Sequence, residues 1–199
     1  MNPKALTAEL FGTFGLTLAV LISINTQGFP VPTPVIAGLT LGLFVYTIGS
    51  VSGCHINPAV TVGLFSIGKI EPLEAATYIV AQFAGAGIAL LAGNALFDTL
   101  APVTASGAIS PGIGEMVGAV FFLFGISAVV LGRVPTALSG GVIGGSLLLG
   151  ESMAAHASNG VLNPAVALGI GSFSLPYIWG PVVGAILGAL LSRSLSESF

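Results

Sequence analysis

Eleven side chains in 199 carry a formal charge, four basic and seven acidic, and that scarcity decides the solvent in which the chain can fold. A water-soluble domain is about 25% charged and needs those groups to cover its surface. Here 6% of residues are charged, 54% are hydrophobic and the mean hydropathy is +1.05. Water cannot wrap such a chain, so it is read as an integral membrane protein. A helical span takes roughly 20 apolar residues, so six spans use about 120 positions and leave the rest for connections. One compact membrane domain fits and a second soluble one does not. Glycine, at 29 residues, is about twice as frequent as the ordinary ~7% and lacks the period of collagen. Small residues of this kind let helices approach closely in lipid, where expelling water gives no driving force.

Apolar stretches run over 5–26, 34–52, 74–97, 112–132, 136–154 and 175–192, broken by Pro, Gly, Ser and Thr clusters. Six spans put both termini on one side. With the amino terminus inside, the inner segments hold Lys4, Lys69, Arg133 and Arg193, all four basic residues of the chain. The outer segments hold none, which is the asymmetry that short cytoplasmic loops carry. Both termini are therefore expected in the cytoplasm, with the chain multi-pass in the cell inner (plasma) membrane. The first span follows a single charge, Lys4, with no small-residue cleavage site after it, so it is expected to be retained. A net charge of −3 without basic runs argues against nucleic acid. The single cysteine, Cys54, excludes an internal disulfide and a cysteine metal cage. No metal and no cofactor is expected, and with no nucleophile set beside a base, neither is an enzyme.

Two connections are too long and too apolar to be plain loops. Each contains Asn-Pro-Ala, at Asn57, Pro58 and Ala59 and again at Asn163, Pro164 and Ala165, followed by about ten apolar residues, half a membrane crossing. Asn is a favoured N-cap and Pro a favoured first helical residue, so each reads as the start of a short helix. Glu9 precedes Asn57 by 48 positions, and Glu115 precedes Asn163 by 48. The halves, about 1–100 and 107–199, share one plan of three spans and a half-helix. An odd number of spans inverts the second half relative to the first. The expected fold is an all-α membrane protein of six transmembrane helices plus two re-entrant half-helices in an inverted repeat, whose half-helices meet tip to tip near the midplane.

That meeting has chemical consequences. Re-entrant backbone has to be buried in protein or line water, and a pore is the simplest reason for it. Each cap Asn can accept from its own helix through its side-chain oxygen, which orients the amide and frees its NH2 to donate into the lumen. Both N-termini carry roughly half a positive charge toward one point, disfavouring cations there.

The doubled Asn-Pro-Ala, the Ala-Glu-Leu-Phe-Gly-Thr opening at 8–13 and the run from Ser52 to Thr61 resemble the aquaporin or major intrinsic protein family over nearly the whole chain. Half-helix dipoles are a selectivity device of that channel type. Gln82 and Pro181 fall where the family has paired Gln and Pro positions. The resemblance implies a right-handed six-helix bundle, assembled as a homotetramer with a pore in each protomer. It also implies that Glu9, Glu115 and His55 support the re-entrant loops.

The departures are as informative. The family usually places Arg three residues after the second motif Asn; here that position is Val166. Counting from the motifs puts the remaining outer-filter positions at Ala37, Glu151 and Gly160, where water-selective relatives carry an aromatic, a His and a small residue. Ala37, Gly160 and Val166 imply a wider mouth without its fixed positive charge. An acid within a span is a functional hypothesis by default. Glu151 reads either as a lumenal acceptor of hydroxyls, amides or ammonium, or as a buried carboxylate bonded to loop backbone. His156 reads as a pH sensor or as loop packing, and Cys54 as approaching the lumen or as an inert buried thiol. Phe121, Phe122 and Phe124 read as lipid-facing or packing residues. The leading expectation is passive conduction of water and small uncharged solutes such as glycerol, urea or ammonia. The alternatives are a cation or ammonium channel, motivated by Val166 and Glu151, and a non-conducting junctional protein.

Overall fold

The computed structural model describes residues 2–196 apart from 102, 105 and 106, so the outer limits placed on the two repeats, 1 and 199, lie outside the described residues. The chain is all-helical: α1 (Pro3–Asn25), α2 (Thr33–Ser52), α3 (Pro58–Ser66), α4 (Pro72–Leu96), α5 (Ile109–Val130), α6 (Ser139–Ala154), α7 (Pro164–Gly169) and α8 (Pro176–Ser194). Helices α1, α2, α4 and α5 are long and apolar enough to cross a bilayer on those grounds alone. Helix α6 has only 16 residues, but a 3-10 turn at Thr136–Leu138 leads directly into it, and together they rise about 30 Å, the thickness of the hydrocarbon layer. Helix α8 spans 19 residues with Pro181 inside. The six long helices and two half-helices are those expected from the sequence.

Packing repeats with inverted order. Helix α1 lies on α2 and α4 as α5 lies on α6 and α8; α3 lies against α8 as α7 lies against α4; and α2 meets α6 across the centre. Each half-helix therefore completes the wall of the other half. The face pointing inward along α1 and α5 is polar and fully buried at Glu9, Thr13, Glu115 and Ser127. Large apolar side chains such as Leu39, Val80, Leu91 and Ile109 point outward. A water-soluble fold reverses this arrangement; in lipid the outward apolar face is the solvated one.

Glycine allows the long helices to touch at their backbones. A Cβ on Gly184 or Gly188 of α8 would run into the Met116 or Val120 carbonyl of α5. Gly38 and Gly144 do the same where α2 crosses α6. Replacing Gly188 with Val forces α8 away from α5 along a contact with no flexible side chain to yield. We expect a loss of about 1–3 kcal/mol, the usual cost of overpacking, read as a lowered thermal midpoint of the detergent-solubilised protein by circular dichroism.

Candidate functional site

The segments before the half-helices are held open by carboxylates. Glu9 accepts from the backbone N–H groups of His55 at 2.9 Å and Ile56 at 2.6 Å, and from Ser52 Oγ at 2.6 Å and Gln82 Nε2 at 2.7 Å. Glu115 repeats the arrangement 106 positions later, accepting from Val161 N at 2.9 Å, Leu162 N at 2.6 Å and Ser158 Oγ at 2.7 Å. The backbone held this way is unusual. Ile56 has φ +39° and Leu162 φ +52°, a region that costs a bulky side chain of order 1–3 kcal/mol and persists only where its surroundings fix it. Those two conformations turn the Ile56 and Leu162 carbonyls toward the midplane.

There the half-helices are joined. Asn57 caps α3 by accepting from Ala59 N at 2.8 Å, and its Nδ2 donates to the Leu162 carbonyl at 2.9 Å. Asn163 caps α7 by accepting from Ala165 N at 3.0 Å and Val166 N at 3.3 Å, and its Nδ2 donates to the Ile56 carbonyl at 3.0 Å. Each amide thus has one of its two hydrogens committed to the opposite loop. The sequence expectation of a wholly free NH2 is corrected on this point: one N–H per Asn remains. His55, behind the first loop, has Nδ1 3.2 Å from Thr61 Oγ1 and stacks edge-on with Tyr78. Gln82 also reaches Thr61 Oγ1, at 3.0 Å, and Pro181 is buried within α8.

Three cavities border this junction. On the face away from the termini, a space of about 130 Å³ is walled by residues that include Ile24, Thr33, Gly160, Val166 and Ile170. On the terminal-bearing face, one of about 210 Å³ is walled by residues that include Cys54, His55, Val60, Leu64 and Val130. Between them lies a space of only about 10 Å³ among Leu16, Leu41, Phe122, Leu147 and the two Asn, about the room of one water molecule. The far and middle cavities share Val20, Glu151, Val161 and Val166, and the middle and near ones share His55.

The walls obey the same displacement as the loops. In the middle Leu16 pairs with Phe122, Leu41 with Leu147 and Asn57 with Asn163, each 106 apart. Across the vestibules Cys54 pairs with Gly160, Val60 with Val166 and Leu64 with Ile170.

Of the positions counted from the motifs, Glu151 and Val166 lie where the far and middle cavities join, and Gly160 borders the far one. Ala37 is buried on the face of α2 between Thr33 and Leu41, one turn from each, and the walls of these cavities run through those two neighbours instead. Gly160 has a packing reason to be small: at φ +63° its Cβ would stand 2.7 Å from the Glu151 carbonyl oxygen. Glu151 is 6% exposed, and among the described residues its carboxylate has no hydrogen-bond or ion-pair partner. His156 is exposed beyond α6 and off the cavity walls. Phe121 faces outward at 44% exposure, and Phe124 lies under the Arg133 guanidinium. Phe122 is 1% exposed and packs in the hydrophobic core, and it also walls the passage. Its position had a signal: it follows Glu115 by seven, as Leu16 follows Glu9, two turns along the same helix face.

The Major intrinsic protein family matches residues 2–192. Aquaporin Z of Rhodopseudomonas palustris is 34% identical over 98% of this chain and 95% of its own length. Aquaporin AqpM of Methanothermobacter thermautotrophicus is 30% identical over 98% of both. Among solved structures, the aquaglyceroporin from Plasmodium falciparum has the same fold, with a TM-score of 0.77 at 20% identity, covering 100% of this chain and 96% of that one.

Replacing Glu115 with Gln removes one of the two oxygens facing the Val161 and Leu162 N–H groups. One buried donor then meets an amide NH2, costing about 1–3 kcal/mol. We expect a lower thermal midpoint in detergent for Glu115→Gln, and likewise for Glu9→Gln.

Proposed function

The chain belongs to the major intrinsic protein family, whose members are channels and not enzymes, and from that premise we propose that its passage conducts water together with small uncharged solutes of the ammonia, urea and glycerol class. The observation that carries this reading is the junction itself: two cross-bonded half-helix tips, each with one amide N–H to spare, between two vestibules connected by room for a single water. A molecule crossing there exchanges bulk hydrogen bonds for those N–H groups in single file. We assign Asn57, Pro58, Ala59, Asn163, Pro164 and Ala165 to that junction, Glu9, Glu115 and His55 to bracing it, and Glu151, Gly160 and Val166 to the outer mouth. With Val where relatives usually carry Arg and Gly beside it, the mouth is wide and has no fixed positive charge.

The four basic residues lie at the ends of helices on one face, where the Arg133 guanidinium reaches Ser192 of α8; we take that face as cytoplasmic, in the plasma membrane. We also propose a homotetramer. Gly141 and Gly145 of α6, one turn apart, have open space where a Cβ would stand, so nothing within the chain requires glycine there and a neighbouring helix could use the gap.

A second reading, conduction of ammonium or metal cations, is favoured by one observation, the Glu151 carboxylate at the mouth, which has no partner among the described residues. Against it stand the two positive helix ends and the apolar middle, which a cation would have to pass nearly bare. In proteoliposomes we expect osmotic water flux above bare lipid and no sodium or potassium current in planar bilayers. Absence of the flux, or presence of the current, overturns the first reading. Val166→Arg should slow urea and glycerol more than water, checked by stopped-flow light scattering with each solute as osmolyte. In the same assay Glu151→Gln, which removes charge while keeping volume, should lower solute entry if the carboxylate accepts hydrogen bonds from passing molecules, and an unchanged flux would place it outside the pathway.

A further inference from the structure

The structure assigns size selection to the narrow space between the two vestibules and names Phe122 as the residue that sets it. The inference rests on the channel reading and goes beyond it by locating where a solute is accepted or refused. Between a far vestibule of about 130 Å³ and a near one of about 210 Å³ the passage has only about 10 Å³, walled by Leu16, Leu41, Phe122 and Leu147 and, on the mouth side, by Glu151 and Val166. One water fills such a space. A polyol enters only if a wall gives way.

Four of the walls, each a Leu or Phe on a long helix, form two pairs related by the inverted repeat, Leu41 with Leu147 and Leu16 with Phe122. Three are leucines, and the fourth is the bulkiest member. Leucine changes its outline by changing rotamer, whereas a phenyl ring, buried as deeply as these three leucines, stays a flat, rigid ring in every rotamer. Phe122 belongs to α5, whose backbone lies directly against α8 at Gly184 and Gly188.

The test pairs two substitutions of opposite sense, each borrowed from the other repeat. In proteoliposomes, water permeability and glycerol permeability are measured by stopped-flow light scattering for the unaltered chain, Phe122→Leu, Leu16→Phe and Phe121→Leu, a lipid-facing neighbour on the same helix. Phe122→Leu should raise the glycerol-to-water permeability ratio about tenfold, the low end of what a small volume change does to discrimination in a tight apolar site. Leu16→Phe should lower the ratio, and Phe121→Leu should leave it as found. If Phe122→Leu does not reconstitute, Leu16→Phe decides alone. A water-conducting Phe122→Leu or Leu16→Phe with an unmoved ratio overturns this inference while the channel reading stands. No water flux in the unaltered chain overturns both.

Discussion

Two hydrogen bonds at the centre of the membrane hold the architecture together, Asn57 Nδ2 to the Leu162 carbonyl and Asn163 Nδ2 to the Ile56 carbonyl. Neither half-helix could stay at that depth alone. With 9 and 6 residues, α3 and α7 are too short to be stable as isolated helices, and the backbone leading to each has polar groups that hydrocarbon cannot satisfy. The reciprocal bonds satisfy a carbonyl on each loop with the cap of the other. Glu9 and Glu115 satisfy the N–H groups one and two residues before each Asn. The left-handed Ile56 and Leu162 are sustained by being gripped from both sides, carboxylate on the nitrogen and amide on the carbonyl. Strain and its restraint sit on the same two residues.

Because the brace is repeated almost exactly 106 positions apart, the places where the repeat fails are the places where the two faces of the passage become different. Glu115 lacks a partner like Gln82, whose counterpart is Gly188, packed against the Val120 carbonyl. Glu151 corresponds to Val45, an apolar residue packed against the core. Phe122 corresponds to Leu16. A symmetric passage would treat traffic from both sides alike in its local chemistry; these exchanges put an acid on one side of the junction and a ring beside it.

The fold was legible because its signals are local and doubled. Asn-Pro marks a helix start whatever surrounds it, and the shared spacing from Glu9 to Asn57 and from Glu115 to Asn163 ties each start to a distant brace. Lipid exposure also removed ambiguity, since nearly every long apolar run had to be a span. The site was legible where backbone geometry dictates it and less so where side chains on neighbouring helices compete to fill a gap. Counting along α2 gives Ala37, but a methyl does not reach as far as Leu41 one turn on, so the wall is built by the longer side chain. Phe122 was obscured by its neighbours Phe121 and Phe124, three rings in four residues, of which helical rotation turns only one toward the lumen. The second hydrogen of each Asn was invisible for another reason: its partner carbonyl lies across the repeat, more than a hundred residues away.

The distribution of width follows from how the parts are supported. The mouth is formed by loop backbone and by Val166 at the first turn of a short helix, and Gly160 there is small because the Glu151 carbonyl stands where its side chain would be. Opening at that level is thus partly imposed by packing, independent of what passes. The middle is walled by the two loops and by side chains on four long helices, whose backbones are locked together by glycine contacts such as Gly38 with the Gly144 carbonyl. A helix so held cannot yield to a solute, so the dimension at that level is set by side-chain volume alone. Narrowness is therefore most enforceable at the centre, where the same rigid helices also hold the two asparagines in register.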